Sequence, residues 1–132
     1  MNSTRALIAT AVSTFVLGLV SARAITQAQP AHVPPAYVIA EVDIKDPAAF
    51  KTYSAQVPGT LKPYGGEFLV RGGQTASLEG PPPRQRVVVI RFDSVAQARD
   101  WYNSPAYGAL RPIRQQAAET RNFIVEGVKP AP

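Results

Sequence analysis

The chain is 132 residues long, with 14 Lys and Arg against 9 Asp and Glu for a formal net charge of +5, and it holds 13 prolines, one histidine and no cysteine. That length suits a single domain with one hydrophobic core. Without cysteine there are no disulfides, thiolate metal sites, c-type haem attachments or Cys nucleophiles. The basic residues are spread singly instead of clustering as phosphate neutralisation requires, so no nucleic-acid partner is expected.

In chain order, Arg5, the uncharged run from Ala6 to Val20 and the closing Ala22-Arg23-Ala24 fit an export signal over residues 1–24. The run is shorter than the roughly 20 residues a membrane-spanning helix needs. Cleavage after Ala24, a periplasmic or extracellular location and no stable membrane insertion of the mature chain are therefore expected. Residues 25–36 read as a Pro-rich linker, disordered for want of apolar area, and they contain His32. A catalytic histidine needs an orienting partner and a rigid mount, so none is assigned here.

A domain is expected over 37–128, with a short tail at 129–132. Residues 37–44, YVIAEVDI, alternate as a strand, with Val38, Ala40, Val42 and Ile44 on one face. Asp46-Pro47 supplies an N-cap and a first-turn proline, and Phe50, Tyr53 and Val57 then recur at helical spacing. Pro58-Gly59 predicts a kink or break before Leu61. The segment YGGEFLVRGG places a strand, Glu67 to Arg71, between two Gly turns, and Thr75 to Leu78 is a candidate edge strand in the turn-rich stretch that follows. RVVVIRF, residues 86–92, is β-branched and apolar as a central strand should be. Ser94 and Gln97 form a capping-box pattern, Ser104-Pro105 starts a second helical segment running toward Ala118, and NFIVEGV, residues 122–128, is the last strand. Its inward face is either Phe123 with Val125 or Ile124 with Val128.

The order β-α-β-β-α-β predicts an α+β, ferredoxin-like fold: a four-stranded antiparallel sheet with two helices on one face. One side of the first three strands is apolar, through Val38, Ala40, Val42 and Ile44, then Phe68 and Val70, then Val88, Ile90 and Phe92. The other carries Tyr37, Ile39, Leu69, Val87 and Val89 together with Glu41, Arg71 and Arg91. So much apolar surface calls for a partner, and a second copy packed sheet to sheet in a two-fold homodimer supplies one.

The ordered pieces YVIAEVDIKDPAAFKTY, YGGEFLVRGG, LEG, RVVVIRF, WYNSPAYGALRPIR and FIVEG resemble the DUF1330 family, within the dimeric α+β barrel superfamily, over Tyr37 to Val128. The resemblance implies a small sheet-to-sheet homodimer and no established reaction. Family members often carry an acidic residue before the Phe that ends the third strand, where Arg91 stands here, and many are not exported.

The candidate ligand-binding residues are Arg71, Glu41, Tyr64, Tyr107, Ser104 and Arg91. Arg71, at a strand end before a Gly pair, could grip a carboxylate or phenolate, or pair with Glu41 or Glu79. Glu41 could act as a general base if buried, or pair with Arg71 or Arg91. Tyr64, Trp101, Tyr102 and Tyr107 could line an aromatic pocket or fill the core; Trp101 is assigned to core, and Tyr107 lies beside Ser104 and Arg111. No Ser-His-Asp set, phosphate loop or metal-ligand spacing is present, and no cofactor is expected.

Three functions fit. They are a small-molecule-binding dimer with a pocket between sheet and helices, a cofactor-independent oxygenase-like or isomerase-like enzyme acting on a small oxygenated or aromatic compound, and a structural or stress-related envelope protein without ligand. An unpaired carboxylate beside Arg71 would favour the enzyme, and an apolar pocket with every charge paired would favour binding.

Overall fold

The computed structural model describes residues 33–129, so the expected export signal, His32 and most of the expected Pro-rich linker lie outside the described residues. Four strands and three helices follow one another as β1 (Ala36–Ile44), α1 (Pro47–Leu61), β2 (Glu67–Arg71), β3 (Arg86–Phe92), α2 (Val95–Tyr102), α3 (Pro105–Ala117) and β4 (Ala118–Glu126). The sheet is antiparallel throughout with order β2-β3-β1-β4, the ferredoxin-like arrangement. No helix among the described residues is long and apolar enough to cross a membrane.

Local chemistry sets most boundaries. The Asp46 side chain accepts from the Ala49 amide at 3.0 Å, and Pro47 fills the first helical position. Ser94 caps α2 through the Gln97 amide at 3.1 Å, but Gln97 Oε1 makes no bond back, so only half of the capping box forms. Ser104 caps α3 through the Tyr107 amide at 3.2 Å. β1 starts at Ala36, which is fully buried, so the strand takes in the last residue that composition assigns to the linker.

Four expectations are corrected. α1 does not break at Pro58; it runs on to Leu61 and tightens into a 3₁₀ turn over Lys62–Tyr64. A proline there removes the amide that would bond the Ser54 carbonyl one turn back, and the Arg71 guanidinium takes that place, Nη2 donating to Ser54 O at 2.7 Å. Thr75 to Leu78 forms no strand, and Leu78 is almost fully exposed. β4 begins at Ala118, not Asn122; Ile124 faces the helices while Phe123 and Val125 face outward, and Val128 lies past the strand.

The fourth correction matters most. Phe68 pairs with Ile90, but Val70 pairs with Val89 and Arg71 with Val88, so a β-bulge at Leu69 inserts one residue and exchanges the faces of everything after it. Val70 therefore joins the open face, and Arg71 joins the helix-covered face.

The core fills the space between sheet and helices, with Val38, Val42, Phe50, Leu61, Phe92 and Trp101 all buried. Phe92 and Trp101 meet at 5.5 Å between ring centroids, and Trp101 Nε1 donates to Thr60 Oγ1 at 3.0 Å, which satisfies the indole inside the core as its assignment required. Gly66 is needed where it stands because a Cβ there would lie 2.7 Å from Leu61 Cδ2 and 2.8 Å from Phe92 Cε1.

The uncovered face is ordered in rows. Val70, Val89, Ile39 and Phe123 stand side by side across the four strands. Glu67, Arg91, Tyr37 and Val125 form the row on one side, and Val87, Glu41 and Arg121 the row on the other. An apolar ridge thus runs between two mixed rows.

Candidate functional site

At the end of the sheet where β1 finishes, sheet and helices part around a cavity of about 50 Å³. Its walls are mostly apolar, from Val42, Val57, Phe68 and Ile90 with the rings of Phe50 and Trp101. Its polar wall is built by three elements. α3 supplies Tyr107 and, two turns on, Arg114; α1 supplies Tyr53; and β4 supplies Thr120 and Asn122, set opposite Val42 and Ala40 of β1.

Arg114 is 5% exposed, although a guanidinium is rarely buried without a partner. No carboxylate among the described residues lies within ion-pair distance of it, and its Nε is buried without a hydrogen-bond partner. Thr120 Oγ1 and Asn122 Oδ1 are likewise buried and unpartnered. Tyr53 Oη and Tyr107 Oη lie 3.0 Å apart. One hydroxyl donates to the other, which leaves the second proton free for a further acceptor. Burial pushes the pKa of both tyrosines up; Tyr107 adds to the rise at Tyr53, whereas the bond to Tyr53 and the charge of Arg114 oppose it at Tyr107. Both are neutral donors at neutral pH.

On the β2 and β3 side, Arg71 and Arg86 complete the lining. Arg71 stacks over the Phe68 ring at 4.6 Å while it bonds Ser54 O, and Arg86 Nη2 donates to Arg71 O at 3.2 Å. A wider, polar depression of about 300 Å³ shares Tyr102, Arg114, Thr120 and Asn122 with the cavity, so the polar end is the end nearest solvent.

Of the six candidate ligand-binding residues, Arg71 and Tyr107 line the cavity and four do not; of the other two aromatics weighed for a pocket, Trp101 and Tyr102, both line it. Glu41 is on the open face, paired with Arg121 at 2.8 Å, and so is neither a base in the pocket nor a partner of Arg71. Arg91, also on the open face, pairs with Asp93 at 3.2 Å. Ser104 is consumed by its helix cap, and Tyr64 packs at the core margin on the 3₁₀ turn. Tyr53, Arg86, Arg114, Thr120 and Asn122 were not identified as site residues. Arg114 did carry a signal, since it falls on the same α3 stripe as the buried Tyr107 and Leu110. A charge in an apolar stripe asks for an explanation.

The fold recurs in solved structures. A protein of unknown function from Rhodopseudomonas palustris aligns with a TM-score of 0.57 and 22% identity, over 74% of this chain and 85% of that one. SnoaB, a cofactor-independent oxygenase from Streptomyces nogalater, aligns with a TM-score of 0.52 and 10% identity, over 76% and 99%. A candidate antibiotic biosynthesis monooxygenase from Caulobacter crescentus aligns at 0.52 and 14%, over 74% and 93%. At these identities the likeness is one of fold. No curated protein matches the chain. The family described as domain of unknown function DUF1330 matches residues 35–128, the whole of the folded region from the start of β1 to the end of β4, and the chain belongs to that family.

Proposed function

We propose that the protein is an exported homodimer that binds a small oxygenated or aromatic molecule in the cavity between sheet and helices of each protomer. The observation that carries this reading is the convergence of unsatisfied polar atoms on one apolar cavity. Three of the five buried side-chain polar atoms without a partner among the described residues, Arg114 Nε, Thr120 Oγ1 and Asn122 Oδ1, belong to its lining. Each such atom costs about 1–3 kcal/mol when left unpaired, and native folds keep few of them. An accepting ligand oxygen would satisfy Arg114 Nε and the Thr120 hydroxyl, whereas Asn122 Oδ1, itself an acceptor, calls for a donor such as a ligand hydroxyl or a water.

The dimer is supported by the open face. The ridge Val70, Val89, Ile39 and Phe123 is flanked by rows that hold both charge signs, a pattern that can meet its own copy about a two-fold axis. Binding is preferred to isomerase or oxygenase chemistry because abstraction of a proton from carbon needs a base. The ionisable groups of the lining are arginines and tyrosines, and Tyr53 and Tyr107 are held away from ionisation. A free carboxylate beside Arg71 would favour the enzyme, and among the described residues no Asp or Glu lines the cavity.

Native mass spectrometry of the mature protein tests the reading. The expected result is a dimer with a bound small molecule that leaves on denaturation. A monomer would reject the assembly, and a protein with no bound mass and no thermal shift toward small carboxylates, phenols or ketones would reject the binding function.

A further inference from the structure

We infer that the ligand of this cavity is a short-chain monocarboxylate, anchored by the Arg114 guanidinium. The inference rests on the reading of the cavity as a ligand site and adds the charge and size of its occupant.

Charge is decided by the lining. Arg71, Arg86 and Arg114 all contribute to the cavity wall, and no Asp or Glu does. Arg71 and Arg86 are occupied, by the Ser54 carbonyl and Phe68 in one case and by the Arg71 carbonyl in the other. Arg114 is not, and it is the most deeply buried of the three. A guanidinium taken out of water without a counter-ion is strongly unfavourable, whereas an anion on the same group forms short charge-assisted bonds. A cationic ligand would meet three like charges. A neutral ligand could use the hydrogen-bond donors but would leave the charge of Arg114 unopposed.

The surrounding groups match a carboxylate. Its two oxygens accept about four hydrogen bonds. The Arg114 N–H groups, the free hydroxyl proton of the Tyr53 and Tyr107 pair and the Thr120 hydroxyl are the donors that bound the polar end. Size follows from the volume. At roughly 10–15 Å³ for each water-sized occupant, a cavity of about 50 Å³ holds a body of only a few carbons. Val42, Val57, Phe68 and Ile90 line the space for that body, and Arg71 and Arg86 add to a positive potential that draws an anion in.

The test is an NMR titration of the ¹⁵N-labelled mature protein with the straight-chain carboxylates from acetate to hexanoate, the matched primary amides and the matched alkylammonium ions. The Trp101 indole, which lies in the cavity wall, is the reporter. The expected result is saturable binding that peaks at a short chain and is about tenfold or more tighter for carboxylate than for amide, with none for the cation. Arg114→Gln should abolish the preference for carboxylate and raise the melting temperature, because it removes an unpaired buried charge. Arg121→Gln on the open face should leave the carboxylate preference unchanged. Equal binding of amide and carboxylate would overturn the carboxylate while leaving the cavity a ligand site. No saturable shift with any series would overturn both. An Arg114→Gln protein that melts lower and keeps full carboxylate affinity would make Arg114 a structural residue and overturn the assignment.

Discussion

On the open side of the sheet Arg84, Arg91 and Arg121 each lie within 3.9 Å of a carboxylate, whereas on the covered side Arg71, Arg86 and Arg114 line a cavity whose wall contains none. Arg71 and Arg86 reach solvent, but Arg114 is buried and has no carboxylate beside it. An exposed ion pair contributes between zero and about 1 kcal/mol, so the open-face pairs say little about stability. An unpaired buried guanidinium is a standing penalty, which the proposed anion would offset. The contrast between the two faces points to the site more directly than any sequence motif does.

The contrast can be broken most severely from the covered side. Phe92→Ala removes a fully buried ring in contact with Trp101 and should cost about 3–5 kcal/mol in urea unfolding. Phe123→Ala, of an equal change in side chain on the open face, should cost far less in an isolated protomer and act on the proposed dimer instead. A comparable loss for both in the monomer would mean that the two faces are not distinct. On the open face, Val89→Lys puts a charge in the middle of the apolar ridge and should reduce the mass measured by light scattering to that of one chain. Unchanged mass would locate the interface elsewhere.

A smaller effect is expected from pH. The folded-state pKa values of Tyr53 and Tyr107 lie above the ordinary 10.0, mainly through burial. In the unfolded chain both ionise near their ordinary value, so their contribution to stability is complete below about pH 10 and is lost as pH rises through the folded-state values. The urea midpoint should fall with pH above that point, and Tyr53→Phe should make the fall shallower. An equally steep fall in the variant would assign the alkaline transition to other groups. The smallest change is Glu41→Gln, which breaks the pair with Arg121 and should cost no more than about 1 kcal/mol, read from the same unfolding curves. A larger loss would give that pair a structural weight that its exposure does not predict.

Element order, the three helix caps at Asp46, Ser94 and Ser104 and the apolar character of the open face were all legible in the sequence, because each is a local pattern of residue type and spacing. The site was only half legible. Strict alternation along EFLVR sends Phe68 and Val70 to one side and Leu69 and Arg71 to the other, and nothing in five residues announces that a bulge will insert Leu69 and turn Arg71 toward the helices. Glu41 looked like a partner for Arg71 on that account. Pro58 looked like a helix end because the group that satisfies the Ser54 carbonyl arrives from β2, 17 residues away. Both misreadings have one source, a long-range contact that local propensity cannot contain. Thr120 and Asn122 were missed for a nearer reason. β4 starts directly on the last residue of the helical pattern, and a strand with no loop before it has no sequence punctuation.

That direct passage from α3 to β4 also limits how the gene encoding this chain can vary. Ala117 closes the helix, Ala118 opens the strand, and the Ala117 carbonyl accepts from the amides of both Lys45 and Asp46, at 2.8 and 2.9 Å. Arg114 stands just before the junction and Thr120 and Asn122 just after it. One residue inserted on the helix side would swing Arg114 about 100° around the helix axis, and one inserted on the strand side would send Thr120 and Asn122 to the opposite face of the sheet. Related chains are therefore expected to place their insertions and deletions in the stretch from Gly72 to Gln85, where no regular structure constrains length, and to keep the spacing from Tyr107 to Asn122 fixed even where its residues change.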